Sequence, residues 1–420
     1  MMSSVGGNNV ITAKKSLLDI KKIENGTIVS PKGFSAAGIH AGLRYEKKDI
    51  GVIMSDVPAN CAAVYTLNTF QAAPLYVTKD SISQEQKLQA VVVNSACANA
   101  CTGEQGLKDA YEMRDTSAEQ FQIPAHYVAV ASTGVIGELL NMKKVNAGIK
   151  QLQPANTKEG AEAFQTAILT TDTVMKTACY EVVVDGKTVT IGGAAKGSGM
   201  IHPNMATMLG FVTTDANIES IVLQDALRSI TNKSFNQITV DGDTSTNDMV
   251  LVLANGKAEN EMLTVNHSDW NAFYEALRLV CEDLAKQIAR DGEGATKLIE
   301  VNVEGAATNE DANTIAKQIV GSSLVKTAVY GADANWGRII CAVGYSGVKI
   351  NPNDITVALG DIVMLQNSQP QAFDEEAAKN YLQQEHVALN VFLNEGTAKG
   401  KAWGCDLTYD YVKINASYRT

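Results

Sequence analysis

The sequence has no apolar run approaching the roughly 18 uninterrupted apolar residues of a membrane helix, and residues 1–9 lack the early positive charge and apolar stretch of a secretory signal. Basic residues are also scarce. The 35 Lys and Arg stand against 46 Asp and Glu, giving a formal net charge of −11, and they form no cluster with interleaved aromatic residues. We therefore expect a cytoplasmic protein that binds neither nucleic acid nor anionic membranes.

Paired cysteine motifs are missing as well. The seven cysteines are odd in number and include no Cys-x-x-Cys unit, which favours reduced thiols over a disulfide framework. Cys97 and Cys101 are close enough in sequence for one zinc-binding face, but they have no second pair and no neighbouring histidine. The five histidines are far apart and show no ligand spacing. We expect no metal and no resident cofactor.

The pattern of apolar residues predicts an α/β fold. With 420 residues, the chain is long enough for two or three domains or for one large α/β unit with appendages. Apolar β-rich runs alternate with helical patterns, and no repeat or linker interrupts them. The predicted strands are 88–94, 127–131, 180–191, 208–212, 249–253 and 407–414. The predicted helices are 104–121, 158–169, 218–231 and 269–290.

The helix predicted over 269–290 has the clearest pattern. Trp270, Phe273 and Leu277 begin an apolar stripe with steps of three and four residues, which is typical of a helix that packs against a core. Beyond it, a smaller α/β section is expected from 297 to 420. Thr308 with Asp311 resembles a capping box that opens another helix, and one more is expected over 375–384.

A glycine-rich segment near the middle of the chain, Lys196–Leu209, leads into the apolar run 208–212. Its centre, Ala206-Thr207, has two interpretations: an ordinary turn before a buried strand, or a self-cleavage site that makes Thr207 an N-terminal nucleophile. In the second, the freed α-amine, with a pKa of about 7.7–8.0, would take the proton of the Thr207 hydroxyl. A phosphate-binding loop is excluded, because Gly197 is followed by Ser198 rather than lysine.

An acidic loop, Asp241–Asp248, has a superficial likeness to a calcium loop. It fails as an EF-hand because the sixth position is Thr246 and the twelfth is Val252. Two interpretations stay open: a turn stabilised by its own side chains, or a loop that also shapes an active site.

Several blocks of sequence, in one order, resemble the ornithine acetyltransferase family, also called glutamate N-acetyltransferases or bifunctional arginine-biosynthesis proteins. The segment 196–214 resembles the processing site of that family. The other blocks are 33–43, 99–103, 132–137, 170–173, 238–248, 291–296, 335–338 and the last six residues. The sequence departs from the family pattern at Ala96-Cys97, where Gly-Asn is expected, and at Ala334, where Pro is usual.

The resemblance implies a self-processed fold of the N-terminal-nucleophile type, with mixed sheets packed against helices. It implies cleavage between Ala206 and Thr207 into chains 1–206 and 207–420, which assemble as a heterotetramer of two α and two β chains. The implied reaction moves an acetyl group from N2-acetylornithine to glutamate through an acetyl-threonine ester, giving ornithine and N-acetylglutamate. Some relatives also accept acetyl-CoA as the donor.

The resemblance also implies roles for individual residues. Thr207 is the nucleophile, and Thr133 with Gly134 forms the oxyanion hole. Substrate-binding roles are implied for Thr173, Lys196, Thr207, Glu293, Asn415 and Thr420. Two other functions stay open at this point: a self-processed aminopeptidase or amidohydrolase, in which water resolves the ester, and a noncatalytic protein in which Thr207 never becomes a terminus.

Overall fold

A computed structural model describes residues 20–202 and 208–417. Within these ranges the chain forms a nine-stranded and a seven-stranded β-sheet, both of mixed strand direction and both packed against helices. This confirms the predicted α/β class with mixed sheets. The smaller C-terminal α/β section is confirmed too, because most of the seven-stranded sheet comes from residues after 297.

The strands in chain order are β1 Lys21–Lys22, β2 Phe34–Ile39, β3 Ile50–Tyr65, β4 Lys87–Asn94, β5 Val128–Ser132, β6 Lys176–Val184, β7 Lys187–Lys196, β8 Leu209–Thr214, β9 Ile238–Thr239, β10 Met249–Ala254, β11 Leu298–Ala306, β12 Thr356–Leu359, β13 Ile362–Gln366, β14 Gln369–Pro370, β15 His386–Phe392 and β16 Ala398–Cys405. The helices are α1 Ala73–Glu85, α2 Gly103–Phe121, α3 Met142–Ile149, α4 Lys158–Ile168, α5 Ser220–Thr231, α6 Trp270–Arg290, α7 Asn309–Gly321, α8 Ser323–Tyr330, α9 Trp336–Gly344, α10 Glu375–Leu382 and α11 Tyr409–Ala416.

The nine-stranded sheet has the order β1-β6-β7-β8-β10-β3-β4-β5, with β2 paired to β3. Strand β8 lies near its centre, antiparallel to β7 and parallel to β10. All six residues of β8 are buried, which explains why its first four residues, 209–212, show no alternation of apolar and polar side chains. The strand that follows the glycine-rich segment is therefore held on both sides.

The seven-stranded sheet has the order β14-β13-β12-β15-β11-β16-β9. Helix α7 packs on β11 and β16. Helix α6 contacts β6 and β7 of the large sheet and also β16 and β11 of the small one, so it lies between the two sheets. Its predicted stripe is buried, with Phe273, Leu277 and Leu284 fully enclosed, which confirms the helix predicted over 269–290.

Two predicted strands differ from the structure. The alternation of Tyr409, Tyr411 and neighbouring apolar residues predicts a strand over 407–414, but residues 409–414 belong to helix α11. Local helix signals explain the error: the Thr408 hydroxyl accepts the Tyr411 N–H as an N-cap, Asp410 lies in the first turn and Lys413 in the last. The prediction was wrong because the alternation does not mark a buried face; no residue of α11 is buried.

The run predicted as one strand over 180–191 is a hairpin of β6 and β7. Asp185 and Gly186 form its turn with φ of 52° and 69°, the backbone that favours Asp-Gly in two-residue hairpins. The other predicted strands and helices match observed elements within a few residues, including the Thr308-capped helix α7. No helix in the described part of the chain is long and apolar enough to cross a bilayer.

Candidate active site

A pocket of about 260 Å³ opens where β7 ends and β8 begins, beside the loop that follows β5. Met208 and Leu209 form part of its wall, so the pocket borders the end of the glycine-rich segment. It brings together Thr133, Gly134, Lys196, Glu293 and Asn415, five of the residues singled out by the sequence. The remaining lining residues are Ala98, Val135, Ile136, Thr170, Thr171, Gly199, Met200, Ser245, Asn247 and Asp248.

Thr133 and Gly134 directly follow β5. The Thr133 N–H donates to Asn94 O at 2.9 Å and the Val135 N–H to Ala96 O at 3.4 Å, which fixes the loop on both sides of Gly134. Among the described residues, the N–H of Gly134 has no hydrogen-bond acceptor. Gly134 has φ +127°, and a Cβ there would lie 2.4 Å from Ala96 O. The loop therefore offers a hydroxyl and a neighbouring N–H at the pocket wall, and it admits only glycine at the second position.

Lys196 ends β7, in register with Leu209 of β8. It is 8% exposed, and its ammonium donates to the Thr133 hydroxyl at 3.4 Å. Burial lowers the pKa of Lys196, while Asp172, Asp248 and Glu293 oppose that effect. A buried ammonium held beside a hydroxyl suits the recognition of a carboxylate.

Glu293 lies in the loop after helix α6 and is buried. The Asn415 amide of α11 donates to the Glu293 carboxylate at 2.8 Å. The backbone N–H of Glu293 donates to Ser198 O at 3.1 Å. A Cβ on Gly199 would come within 2.4 Å of the Glu293 carboxylate, so glycine is required for the close approach of the two loops. Glu293 is thus presented to the pocket as an acceptor for a cationic group.

Helix α11 brings the C-terminal part of the chain to the pocket. The Thr408 hydroxyl donates to Gly294 O at 2.8 Å, next to Glu293. Tyr411 packs against the core between the sheets, and its N–H donates to the Thr408 hydroxyl at 3.4 Å. Because these contacts fix the start of the helix, Asn415 reaches the pocket from a defined direction.

Thr173 does not line this pocket. Its N–H donates to Asp291 Oδ2 at 3.1 Å and its hydroxyl to Asp291 Oδ1, and it lines a neighbouring depression with Arg290 and Lys413. Ala206, Thr207 and Thr420 lie outside the described residues. The substrate-binding role of Thr173 stays a prediction, as do the roles of those three residues.

The acidic loop that was open to two interpretations takes part in the pocket wall. Ser245, Asn247 and Asp248 line the pocket. The Asn247 amide donates to Ala98 O at 2.5 Å and to Ser132 O at 2.8 Å, so it joins the loop to the end of β5. The loop is therefore more than a local turn, because it holds the Thr133-Gly134 segment in place.

A group of buried charges behind the pocket was not predicted from the sequence. Asp172, Lys176 and Asp291 form a three-residue ion network, in which Lys176 Nζ is 2.7 Å from Asp172 Oδ1 and 2.6 Å from Asp291 Oδ2. The i,i+4 spacing of Asp172 and Lys176 was visible, but the contact with Asp291 crosses 115 positions of sequence. Short-range patterns therefore could not reveal it.

The two departures from the family pattern lie in different places. Ala96 adjoins Gly134, and Cys97 is buried with its thiol donating to Glu138 O at 2.8 Å. Ala334 packs against the core of the seven-stranded sheet. Within residues 20–202 and 208–417, no three His, Cys, Asp or Glu side chains are arranged to hold a metal ion.

Comparisons with known proteins agree with the family resemblance that the sequence blocks indicate. The ArgJ family model matches residues 35–420. The arginine biosynthesis bifunctional protein ArgJ of Geobacillus kaustophilus is 72% identical over 98% of this chain and 100% of its own length. The protein of the same name from Bacillus subtilis is 64% identical over 94% of this chain and 97% of its own.

Among solved structures, an ornithine acetyltransferase from Mycobacterium tuberculosis complexed with ornithine is 32% identical, covers 45% of this chain and 99% of that chain, and superposes with a TM-score of 0.41. The match of the family model over most of the sequence and the high identity of full-length relatives lead to one conclusion. The chain belongs to the ArgJ family.

Proposed function

We propose that this protein is a self-processed acetyltransferase of arginine biosynthesis, which moves the acetyl group of N2-acetyl-L-ornithine to L-glutamate. The observation that carries the proposal is the meeting of Thr133, Gly134, Lys196, Glu293 and Asn415 around one pocket at the start of β8. Leu209, the first residue of that strand, follows Thr207 by two positions. The relatives named above, called bifunctional proteins of arginine biosynthesis, support the same reaction.

The first step is the maturation of the chain. The Thr207 hydroxyl attacks the carbonyl carbon of Ala206, the peptide C–N bond breaks as the ester forms, and water then hydrolyses the ester. Chains 1–206 and 207–420 result, and Thr207 gains a free α-amine. Strand β8 lies between β7 of the first chain and β10 of the second, so the sheet would hold the two chains together after cleavage.

In turnover, the α-amine of Thr207 takes the proton of its own hydroxyl, which attacks the acetyl carbonyl of the donor. The tetrahedral oxyanion is bound by the Thr133 hydroxyl and the Gly134 N–H, and preorganised donors of this kind are worth about 2.7–4 kcal/mol each. The bond from the acetyl carbon to the ornithine nitrogen breaks, and the departing amine takes the proton. Glutamate then attacks the acetyl-threonine ester through its amine, which releases N-acetylglutamate.

The charges of the pocket match these substrates. Lys196 pairs with the α-carboxylate, and Glu293, oriented by Asn415, pairs with the side-chain ammonium of ornithine. Glutamate carries no side-chain ammonium, so its binding would rely more on Lys196. Thr173 and Thr420 complete the proposed substrate-binding set. Acetyl-CoA is proposed as a second acetyl donor, and no metal or resident cofactor takes part in the reaction as written.

We also propose an assembly of two α and two β chains and a cytoplasmic location. The names of the relatives, which are proteins of arginine biosynthesis, support a cytoplasmic location. The tetramer rests on the family resemblance, and the size of the mature protein in solution tests it.

The experiment is intact-mass measurement followed by an acetyl-transfer assay. Wild type is expected as two chains whose masses sum to the full chain plus one water, and it should transfer acetyl from N2-acetylornithine to glutamate. Thr207→Ala should remain one chain and lose the activity, while Thr207→Ser, which keeps a hydroxyl, should still be cleaved. If fully active wild type consisted of one unbroken chain, the mechanism would be overturned. If acetate were the main product, the protein would be a hydrolase instead.

A further inference from the structure

The buried ion network of Asp172, Lys176 and Asp291, here called the ion triad, lies directly behind the pocket wall. The exposed fractions of the Asp172 and Lys176 side chains are 0%, and that of Asp291 is 6%. Burying three charges costs free energy unless each is paired and hydrogen-bonded, and hydrophobic replacements are often as stable. The triad therefore calls for a role beyond holding the fold.

Each acidic residue of the triad holds a segment that forms the pocket, Asp172 through its carboxylate and Asp291 through its backbone carbonyl. Asp172 Oδ1 accepts the Gly197 N–H at 2.6 Å, next to Lys196, and Asp172 Oδ2 accepts the N–H of Thr170, a lining residue, at 2.9 Å. The backbone carbonyl of Asp291 accepts the Ser198 hydroxyl at 2.7 Å. The triad thus ties the two residues that follow Lys196 to Thr170 and to the loop that carries Glu293.

The charge of the triad is complementary to that of Lys196. Two carboxylates and one ammonium leave a net charge of −1, and the Lys196 ammonium supplies the matching positive charge. The charged groups that act on Lys196 are Asp172, Asp248 and Glu293, which favour its ammonium form, and Lys176, which opposes it. Burial alone would raise the pKa of Asp172, but Lys196, Lys176 and the Gly197 N–H together hold it well below its usual range.

We propose that Asp172 is a positioning residue for the acetyl transfer, which holds the Lys196 ammonium in its charged form beside Thr133 so that it can bind the substrate carboxylate. Lys176 and Asp291 fix Asp172 in turn. This inference rests on the proposed function, because it takes Lys196 as the group that binds the carboxylate. Its consequence is that the triad sets the pH above which the pocket loses its carboxylate substrates.

The test is the pH dependence of kcat/KM for glutamate in the Asp172→Asn variant. Asparagine keeps an oxygen that can accept from Gly197, but it removes the negative charge that favours the Lys196 ammonium. The alkaline limb of the profile should move to lower pH by about one to three units, the usual effect of a neighbouring opposite charge. Above that limb KM for glutamate should rise, while acetylation of the enzyme by an ester donor without a carboxylate, such as p-nitrophenyl acetate, should keep its rate.

The matched control is Asp215→Asn. Asp215 is also fully buried and accepts the Thr190 N–H at 2.8 Å and the Lys32 N–H at 3.1 Å, but it follows the far end of β8 and does not line the pocket. This variant should lose thermal stability without moving the alkaline limb. Equal movement of the limb in both variants would overturn the proposal.

A second variant should move the alkaline limb in the opposite direction. Lys176→Gln removes a positive charge that disfavours the Lys196 ammonium, so in folded enzyme the alkaline limb should move to higher pH. Movement to lower pH in both Asp172→Asn and Lys176→Gln would indicate general disorder of the pocket, which would also overturn the proposal.

The charge state of Lys196 can be followed without any acetyl transfer. Carbamylation of Lys196 by cyanate, read by peptide mass spectrometry across pH, reports the fraction of free amine. Asp172→Asn should shift this curve to lower pH by the same amount as the alkaline limb. If wild type fails to acetylate glutamate yet the curve shifts, the proposed function fails while the control of Lys196 by Asp172 stands. An unshifted curve overturns the role of Asp172 itself.

Discussion

The two sheets differ in where their charged side chains lie, at the surface or in the interior. The seven-stranded sheet packs an aliphatic core, and its ion pairs, such as Lys399 with Glu304 and Lys401 with Glu300, involve side chains at least partly open to solvent. The nine-stranded sheet also has extended apolar cores, but at the end where β7 and β8 meet it buries Asp172, Lys176 and Lys196 together. Only this group of buried charges adjoins the candidate active site.

Buried charge alone does not mark the site, because the junction of the two sheets also buries charged residues. There, Lys297 donates to Val329 O at 2.6 Å, Lys326 donates to Cys405 O, and Asp406 accepts the Lys297 N–H at 2.9 Å. Both ammonium groups bond to backbone carbonyls, and the Asp406 carboxylate also accepts the Thr296 hydroxyl, so these charges are satisfied inside the fold. At the pocket, Lys196 instead meets a side-chain hydroxyl and open space. A buried charge directed at a cavity is therefore a better indication of function than one whose hydrogen bonds all stay within the fold.

The largest loss of activity is expected from a substitution at Gly134. Gly134→Ala would bring a Cβ to 2.4 Å from Ala96 O, so the loop must shift and its N–H must turn away from the pocket. Loss of one oxyanion donor reduces kcat by about 10²–10³-fold. We expect that loss in the acetyl-transfer assay, together with a fall in thermal stability, because the new Cβ meets only backbone atoms and the φ of +127° is unfavourable for alanine.

Gly137 gives the matched control for this prediction. It lies in the same loop with φ +81°, but a Cβ there would meet nothing within 4 Å. Gly137→Ala therefore adds backbone strain without a clash and should keep most of the activity. If both variants lost activity equally, the effect would come from loop strain and not from the donor at Gly134.

The sequence was sufficient for those elements whose pattern is set locally. The stripe of α6 has a period that only a helix can bury on one side, and the Thr308 cap fixes the start of α7. The five pocket residues were found only through the family resemblance, because Thr133 and Asn415 have no local signal of their own. Once folded, they line one cavity although they come from separate elements.

Other features depend on contacts that the local pattern does not contain. Helix α11 was mistaken for a strand because Tyr409 and Val412 are exposed, so their spacing reflects no core face. The ion triad joins residues from two distant segments, and the need to neutralise Lys196 appears only when β7 is placed beside Asp172. Helix packing and the ion triad therefore depend on strand register and long-range charge contacts, which the local sequence pattern does not contain.

A smaller effect is expected where the pocket meets solvent. Asn415→Ala removes the hydrogen bond to Glu293 at 2.8 Å and leaves that carboxylate less well oriented. A hydrogen bond to a charged group contributes about 1.5–3 kcal/mol, and the exposure of Asn415 places its effect at the lower end. KM for N2-acetylornithine should rise roughly tenfold, since about 1.4 kcal/mol corresponds to that factor.

The control on the same helix is Val412→Ala, because Val412 is 64% exposed. Its KM should equal that of wild type. A similar rise in both variants would mean that α11 acts through its general packing, and the hydrogen bond from Asn415 would then have no specific part in ornithine binding.

The smallest effect is expected from the same conservative substitution in the core beside each sheet. Ile288 of α6 packs within the larger core, where a Cβ on Gly197 would meet its Cγ2 at 3.2 Å, and Ile319 of α7 packs within the core of the small sheet. Each Ile→Val change removes one buried methylene and should lower the free energy of unfolding by about 0.5–1.5 kcal/mol. Denaturant unfolding should show similar losses, and neither variant should raise KM, because valine keeps the Cγ2 atom of Ile288 that faces Gly197 and lacks only Cδ1. A higher KM for Ile288→Val alone would show that the pocket also depends on the packing of the core behind it, and the contrast between the two regions would then be more than one of charge.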